Sequence, residues 1–337
     1  MLLVGVLFVL TNLLVDLSYR YVDPRISRPG DTMADATAVG GVARYLRERV
    51  GALTDRRAVA TFTGRRRNLL GLVIVAGLGV VALIGPLVLS TSPTETALAH
   101  VLHQPSLAHP LGTDALGRDL LTRMVYGARI SLTIAALVIG VRLVLGTGVG
   151  VVAGYAGGWV DEAAMRLVDV LLAFPGIVLA LVVAGLLGPS LTNAMVALAV
   201  VGWGRYARVV RSEVISVKER GFVRAARMMG VSRPRTVARH VLPNVLGPVV
   251  VLATLDVGTV VLGAAGLSFL GLGAQPPTPE WGTMLASGRS HLQQAPWLIN
   301  VPGVAIVVTV FGFNLLGDGL RDVLDPRQRT ALEEVDS

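Results

Sequence analysis

The chain contains no cysteine, and Lys218 is its only lysine. Without cysteine there are no disulfide bonds and no thiolate chemistry. Charged residues are also scarce, at 15% of 337 residues, whereas a soluble domain carries about 25%. Hydrophobic residues reach 53% and the mean hydropathy is +0.66, so much of the chain is expected to lie in lipid. The net charge of +8 then indicates membrane orientation rather than nucleic-acid binding.

Seven apolar runs approach the length of about 20 residues that a transmembrane helix needs. They cover residues 2–16, 68–90, 130–155, 167–187, 194–203, 241–266 and 299–316. Arginine-rich segments at 44–67 and 205–239 are expected to be cytoplasmic. The sequence therefore predicts an all-α polytopic membrane protein with six core transmembrane helices and one possible extra N-terminal helix.

Glycine and proline residues give the predicted spans local features. Glycines recur every four residues at Gly146, Gly150, Gly154 and Gly158. Such a stripe lets another helix approach closely, either within one subunit or between subunits. Prolines at Pro175, Pro243 and Pro248 are expected to bend or end their helices.

The segment 205–243 is too charged for lipid and too long for a tight turn. Phe222, Ala225, Ala226 and Met229 fall on one face of a predicted short helix. Gly230 is a C-cap candidate, and Ser232 with Pro234 would start a second helix. This amphipathic helix would either lie on the lipid surface or dock into a groove of a cytoplasmic partner.

This segment resembles the cytoplasmic-loop signature of bacterial ABC importer permeases. The matching residues are Ala225, Ala226, Gly230, Leu242 and Pro243. Arg224 replaces the usual glutamate and His240 the usual isoleucine, and both departures resemble the dipeptide/oligopeptide (peptide/nickel-type) branch. Three further stretches resemble that branch: HPLGTDALGRDLLTRMVYGARISL, LSFLGLGAQPPTPEWGTML and FNLLGDGLRDVLDPR. The resemblance covers residues 68–329 and implies the second, C-type permease subunit and the ABC importer permease fold.

The resemblance also implies a mechanism and a set of partners. The partners would be a homologous permease subunit, two cytoplasmic ATPase subunits carrying ATP and Mg, an extracytoplasmic substrate-binding protein, a peptide substrate and membrane lipid, with no nucleic acid. This chain itself would bind no cofactor or metal. The residues expected to couple to the ATPase are Arg220, Gly221, Phe222, Arg224, Ala225, Ala226, Arg227 and Gly230. Phe222 would be the apolar anchor of this docking helix.

No catalytic residue is predicted in the chain. The only lysine lacks the glycine-rich cradle of a P-loop, so ATP hydrolysis is assigned to another chain. An ion-coupled secondary transporter would carry several buried charges in its spans, and the apolar runs are nearly free of them. An intramembrane enzyme would need a nucleophile, an acid pair or a metal cluster there. A nickel or other small-solute importer of the same architecture stays open as an alternative.

The predicted outer loops carry weaker candidates. His100, His103 and His109 could bind a transition metal or could be solvated. Thr113 and Asp114 form a predicted N-cap for a helix at 115–127, which would rest on the outer membrane face or contact the binding protein.

Two further groups of residues are candidates for contacts with partners or substrate. Pro276, Pro277 and Trp281 form a stiff turn that could dock the binding protein. Asp256, inside a predicted span, could line the pathway or make a packing hydrogen bond.

The ending of the chain is duplicated near its start. Residues 12–25 and 314–327 share the pattern N-L-L-x-D-x6-D-P-R. In the resembled family the partner permease ends in a similar way, so we expect a fused or overlong start rather than a functional seventh span. The expected divisions are an extra span (1–26), an arginine-rich cytoplasmic linker (27–67), the first core helix with its outer loop (68–129), the core permease domain (130–329) with its cytoplasmic coupling loop (205–240), and a cytoplasmic tail (330–337).

Overall fold

The computed structural model describes residues 62–324, and this part of the chain is built from helices without strands. The helices are α1 (Arg66–Val88), α2 (Leu120–Ala156), α3 (Gly158–Ala173), α4 (Gly176–Leu187), α5 (Leu191–Lys218), α6 (Gly221–Met228), α7 (Arg233–Thr236), α8 (Leu242–Phe269), α9 (Trp281–Gly288) and α10 (Trp297–Leu324). The expected N-terminal span, most of the linker and the tail lie outside the described residues. The predicted all-α class is confirmed.

Four described helices are long and apolar enough to cross a membrane: α1, α2, the run from α7 through α8, and α10. The number is five if the bent pair of α3 and α4 counts as one span. Helix α5 matches the predicted run at 194–203 and is 28 residues long. Its C-terminal half carries Arg205, Arg208, Arg211 and Lys218, which explains why its composition is too polar to qualify.

The bend or end predicted at Pro175 is confirmed within the apolar run at 167–187. Helix α3 ends at Ala173, helix α4 begins at Gly176, and the chain bends by 89° between them. Pro175 precedes the first residue of α4, and proline cannot donate a backbone hydrogen bond to continue the preceding helix. Hydropathy detects the apolar run but not its direction, so the proline was the only signal of the bend.

The start of α2 also differs from the prediction. The separate helix expected at 115–127 does not form, because α2 runs without a break from Leu120 to Ala156. Its N-cap is Asp119, whose carboxylate accepts a hydrogen bond from the Thr122 amide at 2.8 Å. Asp114 instead accepts hydrogen bonds from the amides of Leu116 and Arg118 in the preceding turn.

The glycine stripe of α2 packs within the subunit. A Cβ atom added at Gly146 would lie 2.3 Å from Tyr206 Cβ, and one at Gly150 would lie 2.6 Å from the carbonyl oxygen of Ala207. Helices α2 and α5 therefore approach so closely that the first three stripe positions admit no side chain. Gly158 faces open space at the start of α3 and takes no part in this contact.

The two ends of the bundle are defined by α2 and the arginine-rich loop. The C-terminal end of α2 lies beside that loop, since Lys218 Nζ donates a hydrogen bond to the carbonyl oxygen of Gly154 at 2.7 Å. Helix α2 is 37 residues long, or about 55 Å at 1.5 Å per residue, so its N-terminal end lies far from the loop. With the arginine-rich loop on the cytoplasmic side, residues 89–119 lie at the outer end.

Candidate functional site

The loop between α5 and α8, which is predicted to be cytoplasmic, forms the predicted pair of short helices. Helix α5 continues to Lys218, so the loop begins at Glu219 rather than at residue 205. Helix α6 covers Gly221–Met228, and α7 follows with Ser232 as its N-cap and a proline in its first turn. A π-helical turn at Val237–Val241 then leads into α8.

Gly230 ends α6 in a left-handed conformation, with φ of +81°. The Val231 amide donates to the carbonyl of Ala226 at 3.2 Å, and the Gly230 amide donates to that of Arg227 at 3.1 Å. This pair of bonds is the Schellman arrangement, which reverses the chain after a helix. The predicted C-cap is confirmed, and it directs the chain back toward the membrane.

The face of α6 that packs on the subunit differs from the predicted one. Val223 and Ala226 are buried, and Val223 joins a cluster with Val217 and Val241. Phe222, which was grouped with Ala226, is 46% exposed. Its ring lies edge-on to that of His240, with ring centroids 6.4 Å apart. Sequence spacing identified an apolar stripe, but Val223 shows that the helix is rotated relative to the expected orientation.

The outward side of α6 combines apolar and cationic groups. Met228 and Met229 are exposed, as is Phe222. Arg220, Arg224 and Arg227 are exposed on the same short helix or its cap. The Arg227 guanidinium lies 5.5 Å from the centroid of the Tyr155 ring, which ties the helix to the end of α2.

Glu219 is the only acidic residue within the loop at 219–241. Arg224 Nη2 donates a hydrogen bond to the Glu219 carboxylate, and this bond lowers the pKa of Glu219 below its ordinary value. Both side chains are more than half exposed. The pair therefore orients Arg224 and contributes little to stability.

Three helices are joined by a buried polar cluster inside the bundle. Arg142 Nη1 of α2 donates to Asp256 Oδ2 of α8 at 2.8 Å, and the Tyr206 hydroxyl of α5 donates to the same oxygen at 3.1 Å. Nε and Nη2 of Arg142 both donate to the carbonyl oxygen of Leu198. The expectation that the spans are nearly free of buried charge is wrong here, because sequence reading missed Arg142 within its apolar run.

Helix α5 packs tightly against Arg142 at Gly202. A Cβ atom added at Gly202 would lie 2.0 Å from Arg142 Nε. Asp256 makes a packing contact between helices through its hydrogen bonds to Arg142 and Tyr206, which was one of its two predicted roles. Its role in a pathway stays a prediction.

The proline-rich turn presents only part of the predicted docking set. Pro276 and Pro277 are exposed, but Trp281 is 1% exposed and cannot be contacted by a partner. Trp281 Nε1 donates to the carbonyl oxygen of Met124 at 3.2 Å, so the tryptophan fixes α9 against α2. Glu280 caps α9 through the Thr283 amide. The docking role of the two prolines stays a prediction.

The three outer-loop histidines lie together in the structure. Their ring centroids are 5.3 to 6.4 Å apart, and His109 Nδ1 is 3.1 Å from Asp119 Oδ1. Among residues 62–324, no group of three or more histidine, aspartate or glutamate side chains is arranged to hold a metal ion.

Residues 146–330 match the family described as binding-protein-dependent transport system inner membrane component. This match spans more than half of the chain, from the glycine stripe through the cytoplasmic loop to the end of α10. The chain belongs to this family. The protein is therefore an inner-membrane permease component, a multi-pass protein of the bacterial plasma membrane.

Curated relatives of this permease are named for peptide transport. The dipeptide transport system permease protein DppC of Alkalihalophilus pseudofirmus is 45% identical over 275 residues, covering 82% of this chain and 90% of the relative. The di/tripeptide permease DppC of Pseudomonas aeruginosa is 40% identical, covering 80% and 91%. The glutathione permease GsiD of Escherichia coli O1:K1 is 46% identical, covering 66% and 74%.

A solved structure shares the fold of the permease. It is the methionine ABC transporter MetNI in an inward-facing conformation, matched with a TM-score of 0.50 at 22% identity. The match covers 60% of this chain and 97% of the solved chain. The predicted permease fold is confirmed.

Proposed function

We propose that this chain is the C-type permease subunit of an ATP-driven importer that moves peptides across the bacterial plasma membrane. The substrate class rests on the relatives, which are named for dipeptides, di/tripeptides and glutathione. Two of these relatives are matched over at least nine-tenths of their own length, and both are named as peptide permeases. These names favour peptides over nickel or another small solute.

The observation that carries the coupling role is the two-sided packing of α6. Val223 and Ala226 fix the helix to its own subunit, while Phe222, Met228 and Met229 remain exposed. A cytoplasmic helix that is anchored on one side and apolar on the other is suited to insert into a groove of a partner protein. The arginines around it add positive charge, which would orient an acidic partner surface during docking.

The partner for this helix would be a separate ATPase that binds ATP and Mg. A second permease subunit would complete the pathway, and an extracytoplasmic binding protein would deliver the peptide to the outer end. The family description, which specifies binding-protein-dependent transport, supports the last of these partners. Docking of α6 would transmit closure of the ATPases to α5 and α8, the two helices that flank the loop.

The coupling role can be tested by replacing Phe222 with alanine in the assembled transporter. Removing a central aromatic anchor from an interface costs about 2 kcal/mol, or roughly 30-fold in affinity. We expect Phe222→Ala to weaken ATPase association by that amount and to reduce peptide-stimulated ATP hydrolysis. The matched control is Phe311→Ala, since Phe311 is 51% exposed but lies on α10. Equal ATPase affinity in the parent and in Phe222→Ala would refute the assignment.

The substrate class needs a separate measurement. Proteoliposomes containing the complete transporter should take up a labelled dipeptide in the presence of ATP and binding protein. Unlabelled di- and tripeptides should compete, and nickel ions should not. Nickel uptake without peptide uptake would overturn the peptide assignment and leave the coupling role intact.

A further inference from the structure

A small cavity lies at the outer end of the subunit, between the outer loop, the start of α2, helix α9 and the start of α10. Its volume is about 40 Å³, and its lining includes Asp114, Arg118, Arg123, Met284, Ser287 and Leu298. A water molecule needs roughly 10–15 Å³ by the same kind of measure, so the cavity can hold a group of a few heavy atoms.

The charged groups of this cavity do not balance. Arg118, Arg123 and Asp114 are each more than nine-tenths buried. Arg118 Nε donates to Asp114 Oδ2 at 2.6 Å, and Arg123 Nε lies 3.5 Å from the same oxygen. Asp114 Oδ1 already accepts two backbone amides. One carboxylate thus serves two guanidinium groups, which leaves a formal charge of +1.

The neighbouring acidic groups are engaged elsewhere. Asp119 accepts hydrogen bonds from Thr122, and its other oxygen faces His109. Glu280 caps α9 and accepts a hydrogen bond from Ser131. Within the described residues, the ion pairs of Arg118 and Arg123 are made with Asp114 and not with either of these carboxylates. An uncompensated buried charge is costly, so the excess positive charge calls for an anion.

Donors remain open in this cavity. Within the described residues, neither Nη1 nor Nη2 of Arg118 makes a hydrogen bond. Arg123 uses Nη1 for the carbonyl oxygens of Pro93 and Pro277, and its Nη2 makes none. The Ser287 hydroxyl donates to the carbonyl of Thr283 and is not directed at a ligand. The rest of the lining is mainly apolar, which strengthens a charged contact by excluding water.

We propose that this cavity binds a single carboxylate group, held by the free guanidinium nitrogens of Arg118 and Arg123. A planar carboxylate matches the fork of an arginine in size and geometry. Asp114 positions both guanidinium groups and fixes the net charge. The carboxylate comes from the outer side, since the cavity lies at the end of α2 opposite the arginine-rich loop.

Two sources offer this chemistry: a free small carboxylate and the C-terminal carboxylate of a peptide. The second source rests on the proposed function, whereas the first does not. Both are tested on the full chain in its assembled transporter, purified in lipid nanodiscs. Thermal unfolding is followed while acetate is raised at constant ionic strength, with neutral acetamide as the matched solute. The same assay then compares a dipeptide that has a free C-terminus with its C-terminal amide.

Acetate should raise the unfolding temperature in a saturable way, since a ligand that binds the folded state stabilises it, and acetamide should not. Arg118→Gln should weaken the apparent acetate affinity at least about tenfold, the loss expected when one charged hydrogen bond of about 1.4 kcal/mol is removed. Arg129→Gln, an exposed position on the same helix, should leave the response unchanged.

Ala115→Leu provides a variant that keeps all three charged residues. Ala115 lines the cavity, so a larger side chain there should fill it and abolish the acetate response.

Preference for the free-acid dipeptide over its amide would identify the peptide as a source, and no preference would assign the site to small free carboxylates. Equal responses to acetate and acetamide, or a normal acetate response in Ala115→Leu, would overturn the proposal. Neither of these results bears on coupling through α6.

Discussion

Replacing Arg142 with methionine should leave the carboxylate of Asp256 buried inside the bundle without a cationic partner. In the parent protein this carboxylate is 5% exposed and is bonded to Arg142 and to the hydroxyl of Tyr206. The variant keeps only the tyrosine, which is neutral. Breaking a buried ion pair by removing one partner costs about 3–5 kcal/mol because the remaining charge is uncompensated.

A second estimate bounds this cost from above. The folded variant can avoid the buried charge by protonating the aspartate, and neutralising an ordinary aspartate at pH 7 costs about 4 kcal/mol. The expected loss in unfolding free energy for Arg142→Met is therefore about 3–4 kcal/mol. The Arg142→Met/Asp256→Leu double variant removes both charges and leaves the Tyr206 hydroxyl without its acceptor, a loss of about 1–3 kcal/mol.

Equilibrium unfolding in mixed detergent micelles measures both variants against the parent. Arg129→Met serves as a control, because Arg129 is exposed on α2 and takes no part in the hydrogen bonds of the cluster. The double variant should be more stable than Arg142→Met. A loss of less than about 1 kcal/mol in the unfolding free energy of Arg142→Met would refute this reasoning. A double variant that is less stable than Arg142→Met would refute it as well.

Three further variants test local features. Gly150→Ala should lower the unfolding free energy by about 1–3 kcal/mol, because the added methyl group would separate α2 from α5. Gly148 faces open space, so Gly148→Ala should be as stable as the parent in the same unfolding assay. Gly230→Ala should lose about 1–2 kcal/mol, since alanine is strained at φ of +81°, and thermal unfolding together with ATPase binding would measure this. Arg224 lowers the pKa of Glu219, so any stabilisation by this exposed pair exists above the ordinary glutamate range and disappears as the pH falls through the lowered pKa. Glu219→Gln should therefore unfold like the parent at acidic pH and at high salt, and a difference that persists there would contradict this account.

Much of the fold was accessible from the sequence because lipid imposes simple requirements on a chain. Apolar runs of sufficient length had to be helical, and arginine-rich segments indicated the cytoplasmic side. Local chemistry was equally informative in the loop, where Gly230 and Ser232 lie at the predicted helix boundaries. The glycine stripe correctly indicated a close helix contact, and only the structure identifies α5 as the partner.

The failures share a physical origin in long-range contacts. Hydropathy gave no information on the direction of the chain, so the proline predicted a bend or an end at Pro175 but not its angle of 89°. Arg142 was hidden in an apolar run, and its partner Asp256 lies 114 residues later in the sequence. Val223 rather than Phe222 packs on the subunit, because spacing defines a stripe but not the surface that covers it. Trp281 was expected near the surface and is instead enclosed by α2.

The unbroken length of α2 has a mechanical consequence. Arg123 places one end of this helix at the outer cavity, and Tyr155 places the other end against Arg227 of the loop. The helix contains no proline, so we expect it to move as one stiff rod of about 55 Å. A tilt of about 10° around either end would carry the opposite end through about 9–10 Å. A small tilt that starts at the outer cavity would thus displace the end of α2 beside Arg227, and a tilt that starts at the loop would displace the cavity.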